Sequence, residues 1–437
     1  MSSAPTLGPP ATVSTLDNGL RVLVAPLRQL HRTHVALWAR VGSRYEDANN
    51  NGISHFLEHM IYRGTRRVPS AHEVNLAFER LGGSLFASTQ VDHGIFSLSL
   101  PPESLDPACA LFGEVLSQPA FLDIDIERGI VLEEILEDVD DEGRQVDPAN
   151  LSRTLIYGDH PLGMTITGTE KHVRRFDEVG LRRWHGEHYV ADNAVLVFSG
   201  AVEPEVAMRL AERDFGGLKR GKRAAAEAPR RTQKKPRLQI IDNVSSQTEL
   251  RVCLRAFGAN DPMRTALDVL MRLVDDGMST RLYHRLCDAR GLCYDVSAVY
   301  DVYDDDGVVD VAAGVQHQRA ARVTGEILTM FEELAKDGPT DEELATARRR
   351  VLWDARTMTD SAEETGSFFA GAHLFGRALT LEDHVGALLR VTAEDVRTAA
   401  RAVAQPDRLN VVAVGMLDKC EDARLEETVE GWGGAGR

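Results

Sequence analysis

Asp192-Asn193-Ala194-Val195-Leu196-Val197-Phe198-Ser199-Gly200 is answered 215 residues later by Asp407-Arg408-Leu409-Asn410-Val411-Val412-Ala413-Val414-Gly415. Each opens on a turn aspartate, runs through an apolar strand and stops on a glycine. Working outward, the elements before them repeat in order. Thr33 to Ser43 reads as a buried strand, matched by Thr248 to Phe257. Strands 84–90 and 93–100, joined around Asp92, are matched by strands flanking the Asp301, Asp304, Asp305 and Asp306 turn, expected to be a plain hairpin turn. Helices ending at Gly82-Gly83 and at Arg290-Gly291 precede each strand pair. The order predicts an α+β chain of two homologous halves, each a mostly antiparallel sheet covered by helices, related by internal duplication. The boundaries fall at 1–218, a basic linker at 219–238, and 239–437.

A chain of 437 residues is too long for one ordinary core. Its 43% hydrophobic and 27% charged content is that of a globular protein, and no apolar run is long enough for a membrane span. The net charge of −17 excludes nucleic acid as the main partner. Lys219 to Arg237 is the exception, with nine Lys/Arg and one acid, expected to be a solvated linker. No secretory signal is visible at Met1-Ser2-Ser3, so the expected location is cytoplasmic. Five scattered cysteines suit free thiols, and Cys287 and Cys293 are expected to be small buried apolar residues.

The chemistry sits in Gly52-Ile53-Ser54-His55-Phe56-Leu57-Glu58-His59-Met60. Histidines four apart share a helix face and can grip one metal ion. Glu58 lies at the edge of that face, within reach of a water on the ion. This is the H-x-x-E-H inverzincin order, the reverse of H-E-x-x-H. A catalytic zinc needs a third protein ligand. The amphipathic stretch Ile124 to Val139 offers Glu127, Glu133, Glu134 and Glu137; Glu127 and Glu134, seven apart, share a face. Spacing alone does not choose among them. His185 and His188, three apart without a third ligand nearby, are not expected to form a second site.

Together with Gly42-Ser43-Arg44-Tyr45-Glu46, Arg63-Gly64-Thr65, Gly82-Gly83-Ser84 and His160-Pro161-Leu162-Gly163, the motif resembles the pitrilysin-type zinc metallopeptidases, which include the insulin-degrading enzyme and the mitochondrial processing peptidase. The likeness runs nearly the whole length, and the chain is similar to the short, dimer-forming branch. The resemblance implies half of a clamshell, with one Zn²⁺ per chain held by His55, His59 and Glu134. Glu134 stands 75 residues after His59, and Glu127 is the supporting acid of its E-x6-E pair. Glu58 is implied as general base and Tyr294 as a donor to the developing oxyanion. Peptide substrate is implied to add as a strand along Phe86, Ala87, Ser88 and Thr89.

Two departures stand out. Relatives carry Asn-Ala-x-Thr where this chain has Phe86-Ala87-Ser88-Thr89, and an arginine where it has Cys287. The second raises two dimer arrangements: a heterodimer whose partner supplies the arginine-tyrosine pair, or a homodimer in which Arg285 or Arg290 substitutes. A non-catalytic structural subunit is the remaining alternative, although such relatives usually lose a ligand or the base. The expected function is zinc-dependent hydrolysis of unfolded or presequence-like peptides in an enclosed chamber, with no nucleic-acid or membrane partner.

Overall fold

The structure, a computed structural model, describes residues 7–8, 11–377 and 380–434. The first sheet holds β1 (Thr12–Thr15), β2 (Arg21–Pro26), β3 (Thr33–Ala39), β4 (Leu85–Thr89), β5 (Gly94–Leu100) and β6 (Ala194–Gly200), in the order β1-β2-β6-β3-β5-β4. Its pairs are antiparallel except β2 with β6. Its chain segments also carry helices α1 (Ile53–Ile61), α2 (Ala71–Arg80), α3 (Leu105–Ser117), α4 (Ile124–Glu137), α5 (Pro148–Tyr157), α6 (Glu170–Val173), α7 (Glu178–His188) and α8 (Pro204–Phe215).

The second sheet holds β7 (Arg237–Asp242), β8 (Thr248–Ala256), β9 (Cys293–Val302), β10 (Gly307–Val315) and β11 (Leu409–Gly415), in the order β7-β11-β8-β10-β9. Its five strands repeat β2-β6-β3-β5-β4 of the first in order, down to one parallel pair, β7 with β11, and β1 has no counterpart among the described residues. The later part of the chain carries helices α9 (Arg264–Val274), α10 (Arg281–Tyr283), α11 (Ala320–Asp337), α12 (Asp341–Thr357), α13 (Ala362–Leu374), α14 (Leu381–Arg390), α15 (Ala393–Val403) and α16 (Lys419–Glu430). The duplicated α+β architecture is therefore as the sequence predicts. Among the described residues, no helix is long and apolar enough to cross a membrane.

The central strands read as unbroken apolar runs because helices cover both faces. On β3, Val35, Leu37 and Ala39 enter one core with Phe56, Phe112 and Phe198, whereas Ala36 and Trp38 enter another with Phe369 and Leu374 of α13. This is the two-residue alternation of a strand, with both sides dry. In the second sheet α5 packs on β11, with Leu151 against Val412 and Val414.

These coverings make the compact units interleave in sequence. One comprises 1–135, 164–226 and 353–384; the other comprises 136–163, 227–352 and 385–437. The sequential division at 219–238 differs from this in two segments, since α13 covers the first sheet and α5 the second. Arg237 and Leu238, assigned to the linker from composition, open β7. The basic segment before them has no helix or strand but is tied down rather than simply solvated. Ala191 and Asp192 donate to the Lys219 and Arg220 carbonyls, and Ala224 donates to Asn193. Farther on, Arg231 and Arg255 both donate to the buried carboxylate of Asp306. The Asp-rich turn is thus the seat of an ion pair, and composition could not distinguish that from a plain hairpin.

Candidate metal centre

Helix α1 buries Ile53, Phe56, Leu57, Met60 and Ile61, and this fixes which way its other face points. Its entry is held by Glu46. One oxygen of that buried carboxylate accepts from the Gly52 amide at 2.7 Å and Asn51 Nδ2 at 3.0 Å; the other accepts from the Ser54 amide at 2.9 Å. An anion at a helix N-terminus satisfies amides that have no intrahelical partner and meets the positive end of the helix dipole. Burial raises the Glu46 pKa against the pull of these donors. Gly52 itself adopts φ +92°, and a Cβ there would lie 2.6 Å from the Thr167 carbonyl, so the entry admits only glycine without movement. Glu46→Ala strands buried amides and is expected to cost about 2 kcal/mol of unfolding free energy. Denaturant titration checks this, and an unchanged midpoint would contradict it.

Helix α4 buries Val131 and Ile135 and brings Glu127 and Glu134 up to α1. His55 Nε2 and His59 Nε2 lie 3.3 Å apart; Glu134 Oε1 is 3.4 Å from the first and Glu134 Oε2 is 3.6 Å from the second. Nitrogen and oxygen donors about 2.0–2.2 Å from a tetrahedral ion are separated by about 3.3–3.6 Å. The trio therefore fits a divalent cation. Among the described residues it is the one group of three such side chains that converges.

Glu127 supports the trio from behind. Its Oε1 is 2.7 Å from His59 Nδ1, and its Oε2 accepts from Arg63 Nε. An ionised carboxylate can only accept, so Nδ1 carries a proton, and in the neutral ring Nε2 is left as the atom that can bind an ion. Burial opposes charge on both His59 and Glu127, but their mutual contact outweighs it. The imidazole pKa is raised, while Glu127, which also has Arg63, is lowered. Glu134 is lowered chiefly by its contact with His55. Both carboxylates are thereby held in the ionised form that ligation requires. The buried Nδ1 of His55 has no comparable protein partner among the described residues.

Glu58 points to β4, where the Thr89 hydroxyl donates to its Oε2 at 2.5 Å. Tyr62 donates to the Leu85 carbonyl, tying the end of α1 to the same strand. Burial, and then the charge of Glu58, keep the Tyr62 and Tyr189 phenols protonated. β4 is the last strand of its sheet, so its outer edge has no strand partner there. Phe86 is 56% exposed, Ala87 and Ser88 are half-buried, and Thr89 is buried at the strand's end.

Tyr294 lies in the other unit, at the start of β9, with 92% of its surface exposed. Arg285 is paired with Glu333 and Glu326, and Arg290 with Glu326. His188 stacks on Trp184, and His185 Nε2 is 2.8 Å from the Leu116 carbonyl; neither belongs to a metal cluster among the described residues. Sequence reasoning gave no role to Glu46 or Arg63 and gave Thr89 only a substrate role. Arg63, four residues past His59, was the legible sign of a cation serving the Glu127 carboxylate.

Two imidazoles in H-x-x-E-H order and a glutamate from a later helix, set in one of two duplicated α+β halves, define the inverzincin class. Residues 21–170 match the model described as insulinase (peptidase family M16), and residues 180–351 match that described as peptidase M16 inactive domain. A protein of Mycobacterium tuberculosis named an uncharacterized zinc protease is 30% identical over 394 residues, 89% of each chain. One of Bacillus subtilis bearing the same description is 27% identical over 403 residues, 90% of this chain and 95% of its own. Among solved structures, a Helicobacter pylori protease superposes with a TM-score of 0.86 at 22% identity, covering 93% of this chain and 99% of its own. The periplasmic protease PqqL of Escherichia coli gives 0.77 at 19% identity, with 98% of this chain against 50% of that longer one. The chain belongs to peptidase family M16, the pitrilysin type.

Proposed function

We propose that the chain is a zinc-dependent endopeptidase acting on unfolded peptide segments, with His55, His59 and Glu134 as ligands and Glu58 as general base. The observation that carries it is the convergence of the three donor side chains, with Glu58 on the same helix between the two histidines in sequence. A zinc ion held there supplies Lewis acidity and brings the pKa of water to about 7. Glu58 takes a proton from the attacking water as its oxygen bonds to the scissile carbonyl carbon. It then hands that proton to the leaving amine nitrogen as the C–N bond breaks. Thr89 orients the carboxylate throughout, and Glu127 fixes the His59 ring.

The open edge of β4 supports peptide binding by strand addition, with backbone pairing along Ala87 and Ser88 and with exposed Phe86 offering an apolar contact. Among tests on short unstructured peptides, chelation should remove cleavage and added zinc should restore it; cleavage that survives chelation would refute the proposal. Glu127→Gln is expected to weaken zinc binding by about 10–100-fold. Competition against a chromophoric chelator measures this, and an unchanged affinity would contradict the supporting role.

A partner-dependent form of the same function is favoured by the ion pairs of Arg285 and Arg290. Both guanidiniums are engaged by α11 carboxylates, which counts against either replacing the arginine absent at Cys287. In this form a second, homologous chain supplies the arginine-tyrosine pair and completes a two-chain enzyme, as the two-halves length of PqqL suggests. Full turnover by the purified chain at concentrations where it is monomeric would exclude the dependence.

A further inference from the structure

The segment where Cys287 replaces an expected arginine contains a second unusual feature. Helix α10 does not continue as an α-helix; residues His284–Asp288 form a π-helical turn, a distortion that re-aims side chains. The Gly291 amide then donates to the Cys287 carbonyl at 3.0 Å, and the Leu292 amide to the Leu286 carbonyl at 2.8 Å. This tight return brings Cys293 back beside Cys287 at the start of β9. There the pairing with β10 is irregular, slipping between Ala313 and Val315, and such slips also re-aim side chains. The two sulfurs end 3.5 Å apart. Both are half-buried, contrary to the expectation of buried apolar residues. They line an open cleft with Met278, Tyr283, His284 and Tyr294.

We infer that Cys287 and Cys293 form a redox-active dithiol that small-molecule disulfides, such as oxidised glutathione, convert to an intramolecular disulfide. The sulfurs need to approach by about 1.5 Å to bond. In the first step deprotonated Cys287 attacks one sulfur of the disulfide, forming a mixed disulfide and expelling one small thiolate, which takes up a proton. Cys293 then loses its proton and attacks the Cys287 sulfur, closing the protein disulfide and releasing the second small thiol. Two protein thiols are oxidised, and one small disulfide is reduced to two thiols. Burial raises both thiol pKa values, that of Cys293 to about 12. The first attack therefore draws on a small thiolate fraction at Cys287, and proximity favours the second step by making ring closure intramolecular. His284 and Asp288 nearby do not join the sulfurs as a converging metal cluster among the described residues.

The test is independent of peptidase turnover, so its failure and that of the metal-site proposal are distinguishable. The reduced full-length chain is equilibrated with oxidised glutathione, alkylated with N-ethylmaleimide, and peptide-mapped by mass spectrometry. The expected result is loss of both alkyl adducts at Cys287 and Cys293, with a cross-linked peptide two hydrogens lighter that dithiothreitol restores. C293S should instead retain glutathione on Cys287, since the resolving thiol is gone. Stable glutathione on Cys287 in the wild-type chain, or full alkylation of both residues after oxidation, would overturn the inference.

Discussion

Glu58→Gln lowers kcat by about 10²–10⁴-fold with zinc content and KM little changed, the size expected for loss of a general base. The amide keeps the shape of the carboxylate and an oxygen that accepts from Thr89, so the helix and its neighbours stay in place. What it cannot do is take a proton from water and return it to the leaving nitrogen. Because Glu58 lies outside the converging trio, the metal is expected to remain. Steady-state kinetics and zinc analysis on the same preparation make the comparison. Undiminished cleavage by this variant would remove Glu58 from the role assigned to it.

Glu134→Gln tests the other half of the site and is expected to strip the metal. An amide oxygen carries no charge, and the two imidazoles alone leave the ion with fewer protein ligands than catalytic zinc sites use. The loss of affinity should exceed the about 10–100-fold expected for outer-shell changes such as Glu127→Gln. Activity should fall in step with metal and return in part when excess zinc is supplied. Wild-type affinity in this variant would mean that the third ligand is another group. Together the two variants separate chemistry from binding: one retains the ion without turnover, and the other loses both.

How much of this was visible in the chain follows from the range of each interaction. His55, Glu58 and His59 lie within one helical turn, so periodicity alone placed them on neighbouring faces. The duplicated sheets were legible because their central strands, such as β3 and β11, are apolar at nearly every position. Glu134 required a fold: four glutamates on one stretch were candidates until the resemblance selected one, and the geometry brings that one to both histidines. Glu46 was beyond sequence reasoning for the same cause, since nothing local tells a loop carboxylate that it will satisfy helix amides several residues on. The coverage of the first sheet by α13 and of the second by α5 was hidden as well. Amphipathic helices state that they need a sheet, not which one. Cys287 and Cys293 were misjudged because composition treats cysteine as a small apolar residue, whereas a π-helical turn and a strand irregularity bring these two to a surface cleft.

In the proposed site two side chains of α1 and one of α4 hold a single ion. Anomalous diffraction at the zinc edge from crystals of the zinc-loaded chain tests it most directly. One peak is expected about 2.0–2.2 Å from His55 Nε2, His59 Nε2 and a Glu134 carboxylate oxygen. A peak that leaves Glu134 uncoordinated, or no peak at these residues, would contradict it.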